Sequence, residues 1–301
     1  MTISISKNRV IAALVTLIAT MNYHARVEAQ ESLAAYTAPN TEVLPISALS
    51  NGADYEIYVK LPKGYYESDE SYPLMIALDA DYSFSIVANI VEHLADRGQA
   101  PNMIVVAIAY PGVYPDMREY RRTRTRDYTP FHFPSGGYGA KIQELSGGGP
   151  AFQSFIADEL IPKLKARYRL NGDRTLVGHS YGGLFGAWML LSRPETFNRY
   201  ILVSPSLWYA DHHFLNDEVI DQGEEIRQRT LVYMGVGDWE NQPENGRAMV
   251  DELITFSEKL SARKDADLLV KHRVFEDETH ASIFPVALST GIRHLFSTME
   301  D

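Results

Sequence analysis

The chain has no cysteine in its 301 residues. That absence excludes disulfide staples, thiolate metal sites and cysteine nucleophiles together. It leaves the compartment open, because an exported protein does not need disulfides. Positive charge is also in short supply. Lys and Arg number 28 against 39 Asp and Glu, a formal charge of −11. Such a surface repels nucleic acid and anionic membranes, so neither is an expected partner. A neutral small molecule or a basic group is easier to accommodate. Long hydrophobic runs are missing as well. The N-terminal run Val10 to Ala19 is short for a bilayer span. Lys7 and Arg9 precede it, and Val27-Glu28-Ala29 follows, with small residues in the −3 and −1 places. This pattern predicts a signal peptide over residues 1–29, cleaved after Ala29, and an exported protein, periplasmic or secreted; an uncleaved anchor is the alternative. Cleavage removes Lys7, Arg9 and Arg26 but only one acid, Glu28, so the mature chain is more acidic still.

What is present is a large apolar fraction, 45% of the chain, arranged in blocks. Residues 30–42 are polar and read as loose. Tyr55, Ile57, Val59 and Leu61 alternate with polar neighbours, as in a half-exposed strand. Pro73 to Leu78 and Met103 to Ile108 are continuous apolar runs of strand length, separated by a helical pattern over Ser83 to Arg97. Further strands are predicted at Thr175–Val177, Tyr200–Val203, Thr230–Met234 and Leu268–Phe275, with helices at Pro150–Tyr168, Ala248–Lys264 and after His280. Pro162 is expected to kink the first of these. Buried strands alternating with helices indicate an α/β fold, a mostly parallel central sheet with helices on both faces. No repeat or linker divides residues 30–301, which are read as one domain. From Tyr110 to Pro150 the pattern breaks into a segment rich in Gly, Pro, Tyr and Arg. A loop this long in a compact domain usually carries function.

The chemistry gathers at Arg174–Leu184, RTLVGHSYGGL. An apolar strand runs into Gly178-His179-Ser180-Tyr181-Gly182-Gly183, then into an apolar stretch of helix length. G-x-S-x-G between a strand and a helix is the pattern of a nucleophile elbow. A serine hydroxyl is a weak nucleophile and must stand clear of the backbone to meet a base. The sharp turn that exposes it crowds the residues two before and two after, and both are glycine here. The N–H of Tyr181, at a helix N-terminus, is then an oxyanion donor.

Ser180 needs a base and an acid that orients the base. In the α/β-hydrolase order these follow the serine, acid first, each after a strand. His280 alone among nine histidines falls in the loop after the last strand. His179 is read as pointing away from the serine's partner side. Asp238 and Glu240, after the strand Thr230–Met234, are both candidates for the acid. By analogy with that fold, Ala80 or Asp81 supplies the second oxyanion donor. Asp211-His212-His213 has the look of metal ligands, but adjacent loop histidines are usually solvated, and neither metal nor cofactor is expected. Arg118, Arg121, Arg122, Arg124 and Arg126 form a basic cluster, read either as internally paired or as binding an anionic or polyphenolic substrate.

The stretches PLMIALDADYSF, RTRDYTP, GGGPAFQSFIADELIPKLKARYR, LVGHSYGGLF, VSPSLWY, VYMGVGDWE and ETHASIFPVALSTGIRHLF occur in this order. Through them the chain resembles the putative-esterase branch of the α/β-hydrolases, which includes the enterobactin-type siderophore esterases. The resemblance runs from about Tyr55 to Phe296. It implies Ser180 as nucleophile, His280 as base and Glu240 as the orienting acid, with Asp238 the first acid of its pair. Some members of this branch work as a Ser–His dyad. Relatives often carry Asp-Gly where this chain has Asp79-Ala80. The resemblance also implies that Trp208, Tyr209 and the segment 110–150 line the pocket; if the basic cluster binds substrate, Arg124 and Arg126 are the candidates. The expected function is an exported serine carboxylic-ester hydrolase working through a triad and an acyl-enzyme on siderophore-type or other bulky esters. An acyltransferase or a silent binding protein on the same scaffold are the alternatives.

Overall fold

A computed structural model describes residues 36–112, 116–242, 247–265 and 267–297. The predicted signal peptide, residues 1–29, lies outside them. The fold described below runs from residue 40 onward. Its framework is an eight-stranded sheet: β1 (Thr41–Ser47), β2 (Asp54–Lys60), β3 (Tyr72–Ala77), β4 (Ile104–Ala109), β5 (Leu170–His179), β6 (Arg199–Val203), β7 (Thr230–Gly237) and β8 (Leu268–Phe275). The spatial order is β1-β2-β4-β3-β5-β6-β7-β8. β1–β2 and β2–β4 are antiparallel, and every later pairing is parallel. β3 and β4 are buried along their whole length, which is why they read as continuous apolar runs.

Helices cover both faces. α1 (Ala80–Ala95) and α5 (Ile283–Phe296) pack on one side, where Val87, Val91, Leu94, Phe284 and Leu288 join the sheet residues Met75, Val105 and Ile201. On the other side α3 (Tyr181–Ser192), α4 (Met249–Ala262) and the helical stretch 149–167 bury Phe152, Phe155, Phe185, Leu253 and Phe256. Each such buried ring or branched chain contributes roughly 1.5–3 kcal/mol. The stretch 149–167 is not uniform. It widens into π-helical turns over Phe155–Leu160, just before Pro162. Proline has no N–H to give to the preceding turn, and the wider turns absorb the misfit.

The structure corrects two readings. β1 occupies residues 41–47, so the loose segment ends two residues earlier than expected; Pro45 is tolerated because β1 is an edge strand. The segment 110–150 is not irregular throughout. It holds α2 (Met117–Tyr128), capped by the Asp116 carboxylate, which accepts from the N–H groups of Arg118 and Glu119. The face that α2 buries is polar: Thr123, Arg124, Thr125 and Asp127, with Tyr128. A helix that buries paired charges shows no apolar periodicity, and so reads as a loop.

Glycine lets α3 start tight against the sheet. A Cβ on Gly178 would lie 2.2 Å from the Gly182 carbonyl oxygen, and one on Gly183 would lie 2.8 Å from Pro205 Cα. Both contacts are with backbone. A Cβ on Gly186 would instead meet the Leu202 side chain. Gly178→Ala is therefore expected to destabilise by about 3 kcal/mol or more, and Gly186→Ala by about 1 kcal/mol or less. Urea unfolding of the two variants measures this, and equal midpoints would contradict the contact assignment.

Candidate active site

The parallel strands deliver their carboxyl ends to one side of the sheet, where α/β folds place their ligands. Ser180 follows β5 with φ 60° and ψ −119°, a conformation rarely held by a residue with a side chain. Three bonds fix it. Ser180 N–H donates to the Val203 carbonyl at 3.0 Å, and the Ser180 carbonyl accepts from Leu184 N–H at 2.9 Å and Ser206 N–H at 3.1 Å. The side chain is thereby turned off the strand into a cavity of about 310 Å³. That cavity is lined by Tyr82, Ile86, Tyr120, Arg124, Tyr138, His179, Ser180, His280, Ala281, Phe284 and Pro285. A larger, open depression near the amino ends of the strands contains none of these residues.

His280 sits in the turn between β8 and α5, its side chain half-exposed. Its Nδ1 lies 2.5 Å from Oε2 of Glu240, which is buried. The other carboxylate oxygen, Oε1, accepts from Ser204 Oγ at 2.6 Å and from Gly237 N–H at 2.9 Å. Glu240 is thus fixed from one side and open to histidine on the other. Asp238, two residues earlier on the same 3-10 turn, makes no bond to His280 among the described residues. Ser180 Oγ is 3.4 Å from Ser206 Oγ and has no hydrogen bond to His280 among the described residues. Such contacts are often loose before substrate binds.

His179 does not point away. It packs against His280 with ring centroids 4.6 Å apart, and its Nδ1 lies 3.0 Å from Tyr82 Oη. The residue before Ser180 faces His280 because it closes β5 on the α1–α5 side of the sheet, where Phe284 also meets its ring. Ala80 and Asp81 open α1, and Tyr181 opens α3, so their N–H groups lie among those a helix leaves unspent. The left-handed position in the first turn is Asp79, φ 59°, and not Ala80. An alanine there needs no glycine-like freedom. The Asp81 carboxyl is raised above its ordinary pKa by burial, then by the charges of Asp79 and Glu56.

The arginines are spent internally. Buried Arg124 grips Asp79 through Nε to Oδ1 at 2.6 Å and Nη2 to Oδ2 at 3.0 Å. Arg126 makes the same fork to its buried neighbour Asp127 at 2.7 and 2.9 Å, and is not among the cavity residues. Arg124 lines the cavity with its fork already engaged by Asp79, whereas Arg126, expected toward the substrate as well, is turned onto Asp127 and lies outside the cavity. Tyr209 is buried and donates to the Phe131 carbonyl, and Trp208 packs on Tyr181; neither lines the cavity. His212 pairs with Glu252 at 3.0 Å. The aromatic wall is supplied instead by Tyr82, Tyr120, Tyr138 and Phe284. Tyr120 and Tyr138 come from the 110–150 segment, as its length suggested. Ser204, which holds Glu240, sits in the VSPSLWY stretch, but nothing in its spacing marks that contact.

The profile of the Putative esterase family matches residues 48–281. The ferri-bacillibactin esterase BesA of Bacillus subtilis (strain 168) is 27% identical over 86% of this chain and 90% of its own length. The siderophore enterobactin esterase of Emericella nidulans is 30% identical over 66% of this chain and 73% of its own. Among solved structures, an IroE-like serine hydrolase from Shewanella oneidensis superposes with a TM-score of 0.74 at 29% identity, covering 85% of this chain and 80% of its own. The siderophore hydrolase EstA of Aspergillus nidulans gives 0.76 at 25% identity, covering 89% and 97%.

Burial, then the charges of His280 and Arg124, hold the His179 imidazole well below its ordinary value of 6.5. In the unfolded chain it protonates near that ordinary value; folded, it stays neutral to lower pH. Its contribution to stability is present above the unfolded pKa and is lost as pH falls toward the folded one, by at most about 1.4 kcal/mol per pH unit. Thermal melts from about pH 8 to about pH 5 should show a shallower acid-side fall for His179→Gln than for the wild type. Parallel curves would show that the ring titrates alike in the folded and unfolded chain.

Proposed function

Because the chain belongs to the Putative esterase family and is a carboxylic-ester hydrolase, we propose that it works through Ser180, His280 and Glu240 on siderophore-type esters. The observation that carries this reading is the bond between Glu240 and His280 Nδ1, beside Ser180 in one cavity. Glu240 keeps the proton on Nδ1 and leaves Nε2 free as the base. Ser180 swings from Ser206 toward Nε2, gives up its proton and attacks the ester carbonyl. The N–H groups of Tyr181 and Ala80, each at a helix N-terminus, receive the developing oxyanion. The C–O bond breaks as His280 returns the proton to the leaving alcohol. Water, deprotonated by the same histidine, then releases the acid and restores Ser180.

Two things support the substrate class. Relatives carry names that specify siderophore esters. The cavity is walled by Tyr82, Tyr120, Tyr138 and Phe284, which suits a flat ring or a bulky acyl chain. Its arginine is neutralised by Asp79, so selection rests on shape and aromatic contact more than on net charge. Export rests on the N-terminal segment and agrees with an extracellular ligand. Comparing kcat/KM for a catecholate triester with that for p-nitrophenyl acetate tests the class: preference for the triester is expected, and preference for the simple ester would reduce the claim to a general esterase.

Ser180→Ala should lower kcat by about 10³-fold or more with the fold unchanged by circular dichroism. Near-normal turnover by the folded variant would end the serine mechanism.

Glu240→Gln should cost on the order of 10²- to 10⁴-fold in kcat, because the amide favours the wrong imidazole tautomer. Asp238→Asn should stay close to wild type. Losses confined to His280→Ala, with Glu240→Gln unaffected, would point to a dyad.

A further inference from the structure

Among the described residues, Arg124 is the one cation lining the cavity that is itself almost wholly buried, at 3% exposure. Its fork holds Asp79, at the end of β3. Its Nη2 also donates to the His179 carbonyl at 3.2 Å, at the end of β5, and Nη1 donates to Tyr138 Oη at 2.5 Å. Asp79 is gripped from other directions too. Tyr120 Oη donates to its Oδ1 at 3.1 Å, and its own N–H donates to Tyr128 Oη at 3.1 Å. Three tyrosine rings, Tyr120, Tyr128 and Tyr181, lie under the guanidinium with centroids 5.2, 5.6 and 5.9 Å away. Asp79 Oδ2 reaches as far as the elbow helix, since a Cβ on Gly182 would lie 3.4 Å from it.

We propose that Arg124 is a positioning residue for the oxyanion hole: by holding the Asp79 carboxylate and the His179 carbonyl at once, it fixes the turn carrying the Ala80 N–H against the elbow carrying the Tyr181 N–H. This rests on the serine mechanism above. The two donors come from separate strands, β3 and β5, and an oxyanion must meet both at hydrogen-bond distance. Asp79 has a left-handed backbone, which aspartate tolerates better than most side-chain-bearing residues but still at a cost, so contacts that hold the turn have something to offset. A planar guanidinium presents a fixed two-pronged fork to the carboxylate and still reaches a carbonyl; an ammonium reaches such oxygens only as a point charge, without that fixed geometry. Arg124 therefore acts through Asp79 and the backbone and does not select the substrate by charge.

The test uses Arg124→Lys, which keeps the charge beside Asp79, and Tyr128→Phe, which removes the acceptor for the Asp79 N–H from a buried ring outside the cavity. Turnover is measured on p-nitrophenyl acetate and on its thionoester, whose sulfur accepts hydrogen bonds poorly. Inhibition is measured with phenylboronic acid, whose tetrahedral serine adduct carries an oxyanion. Arg124→Lys should lower kcat on the oxoester on the order of 10²-fold with KM little changed, and weaken the boronic acid in parallel. Its loss on the thionoester should be smaller. Tyr128→Phe should shift the same readings in the same direction by about 2- to 10-fold. A raised KM with kcat intact, or equal losses on both esters, overturns the positioning role. If Arg124→Lys does not fold, Tyr128→Phe decides alone, and an unchanged boronic acid affinity overturns it. Wild-type turnover and fluorophosphonate labelling at Ser180 are run beside these. Failure of both removes the serine mechanism and this proposal with it, whereas a competent wild type with indifferent variants removes the positioning role only.

Discussion

The backbone of Ser180 is the constraint on which the site depends. A residue with a Cβ at φ 60° and ψ −119° carries about 1–3 kcal/mol of strain, and persists only where its surroundings leave no alternative. Here β5 supplies the approach, β6 receives the Ser180 N–H through Val203, and Ser206 and Leu184 bond the Ser180 carbonyl. Gly178 and Gly183 let the backbone of α3 and of the Ser204–Ser206 turn come close enough to make those bonds. The same turn points Ser180 Oγ into the cavity and starts α3 with the Tyr181 N–H unspent. Strain, exposure of the Ser180 hydroxyl and an unspent Tyr181 N–H are consequences of one local geometry.

Around that turn the protein buries charge in matched sets. Asp79 is held by Arg124, Asp127 by Arg126 and the Tyr55 hydroxyl, and Glu240 by His280, Ser204 and the Gly237 N–H. Burial by itself would lower the Arg124 pKa, but the charge of Asp79, with the surrounding tyrosines, outweighs it and keeps the pKa raised, so the pair stays ionic. Pairs of this kind add little net stability over apolar packing, yet removing one partner costs about 3–5 kcal/mol. Their value lies in fixing where loops sit. This accounts for Arg124 and Arg126 of α2, the two of its arginines paired with buried carboxylates.

Much of the fold was legible in the chain itself. Buried parallel strands announce themselves as unbroken apolar runs, and Tyr72–Ala77, Ile104–Ala109 and Thr230–Gly237 were readable for that reason. Ser180 was legible because a sharp strand-to-helix turn demands glycine on both sides. His280 was legible because chain order after the last strand leaves few choices. β1 and α2 were not, since an edge strand bearing Pro45 and a helix burying Arg124 and Asp127 lack the apolar periodicity that local reading relies on.

Side-chain partnership was decided only by tertiary structure. Spacing left Glu240 and Asp238 two residues apart and equally able to reach a histidine; the packing of β6 beside β7 brings Ser204 and Gly237 to one carboxylate and leaves the other off the histidine. Sequence leaves the arginine cluster open between internal pairing and ligand binding, because a linear chain does not show that β3 delivers Asp79 to Arg124. Nothing local to the elbow shows which way His179 faces, and the fold stacks it on His280. The sequence by itself determined the buried parallel strands, the elbow and the candidates for nucleophile and base, because those follow from local patterning, turn sterics and chain order. Which acid meets the base, and which charges are free for a ligand, depends on contacts between segments dozens of residues apart, and only the folded sheet brings them together.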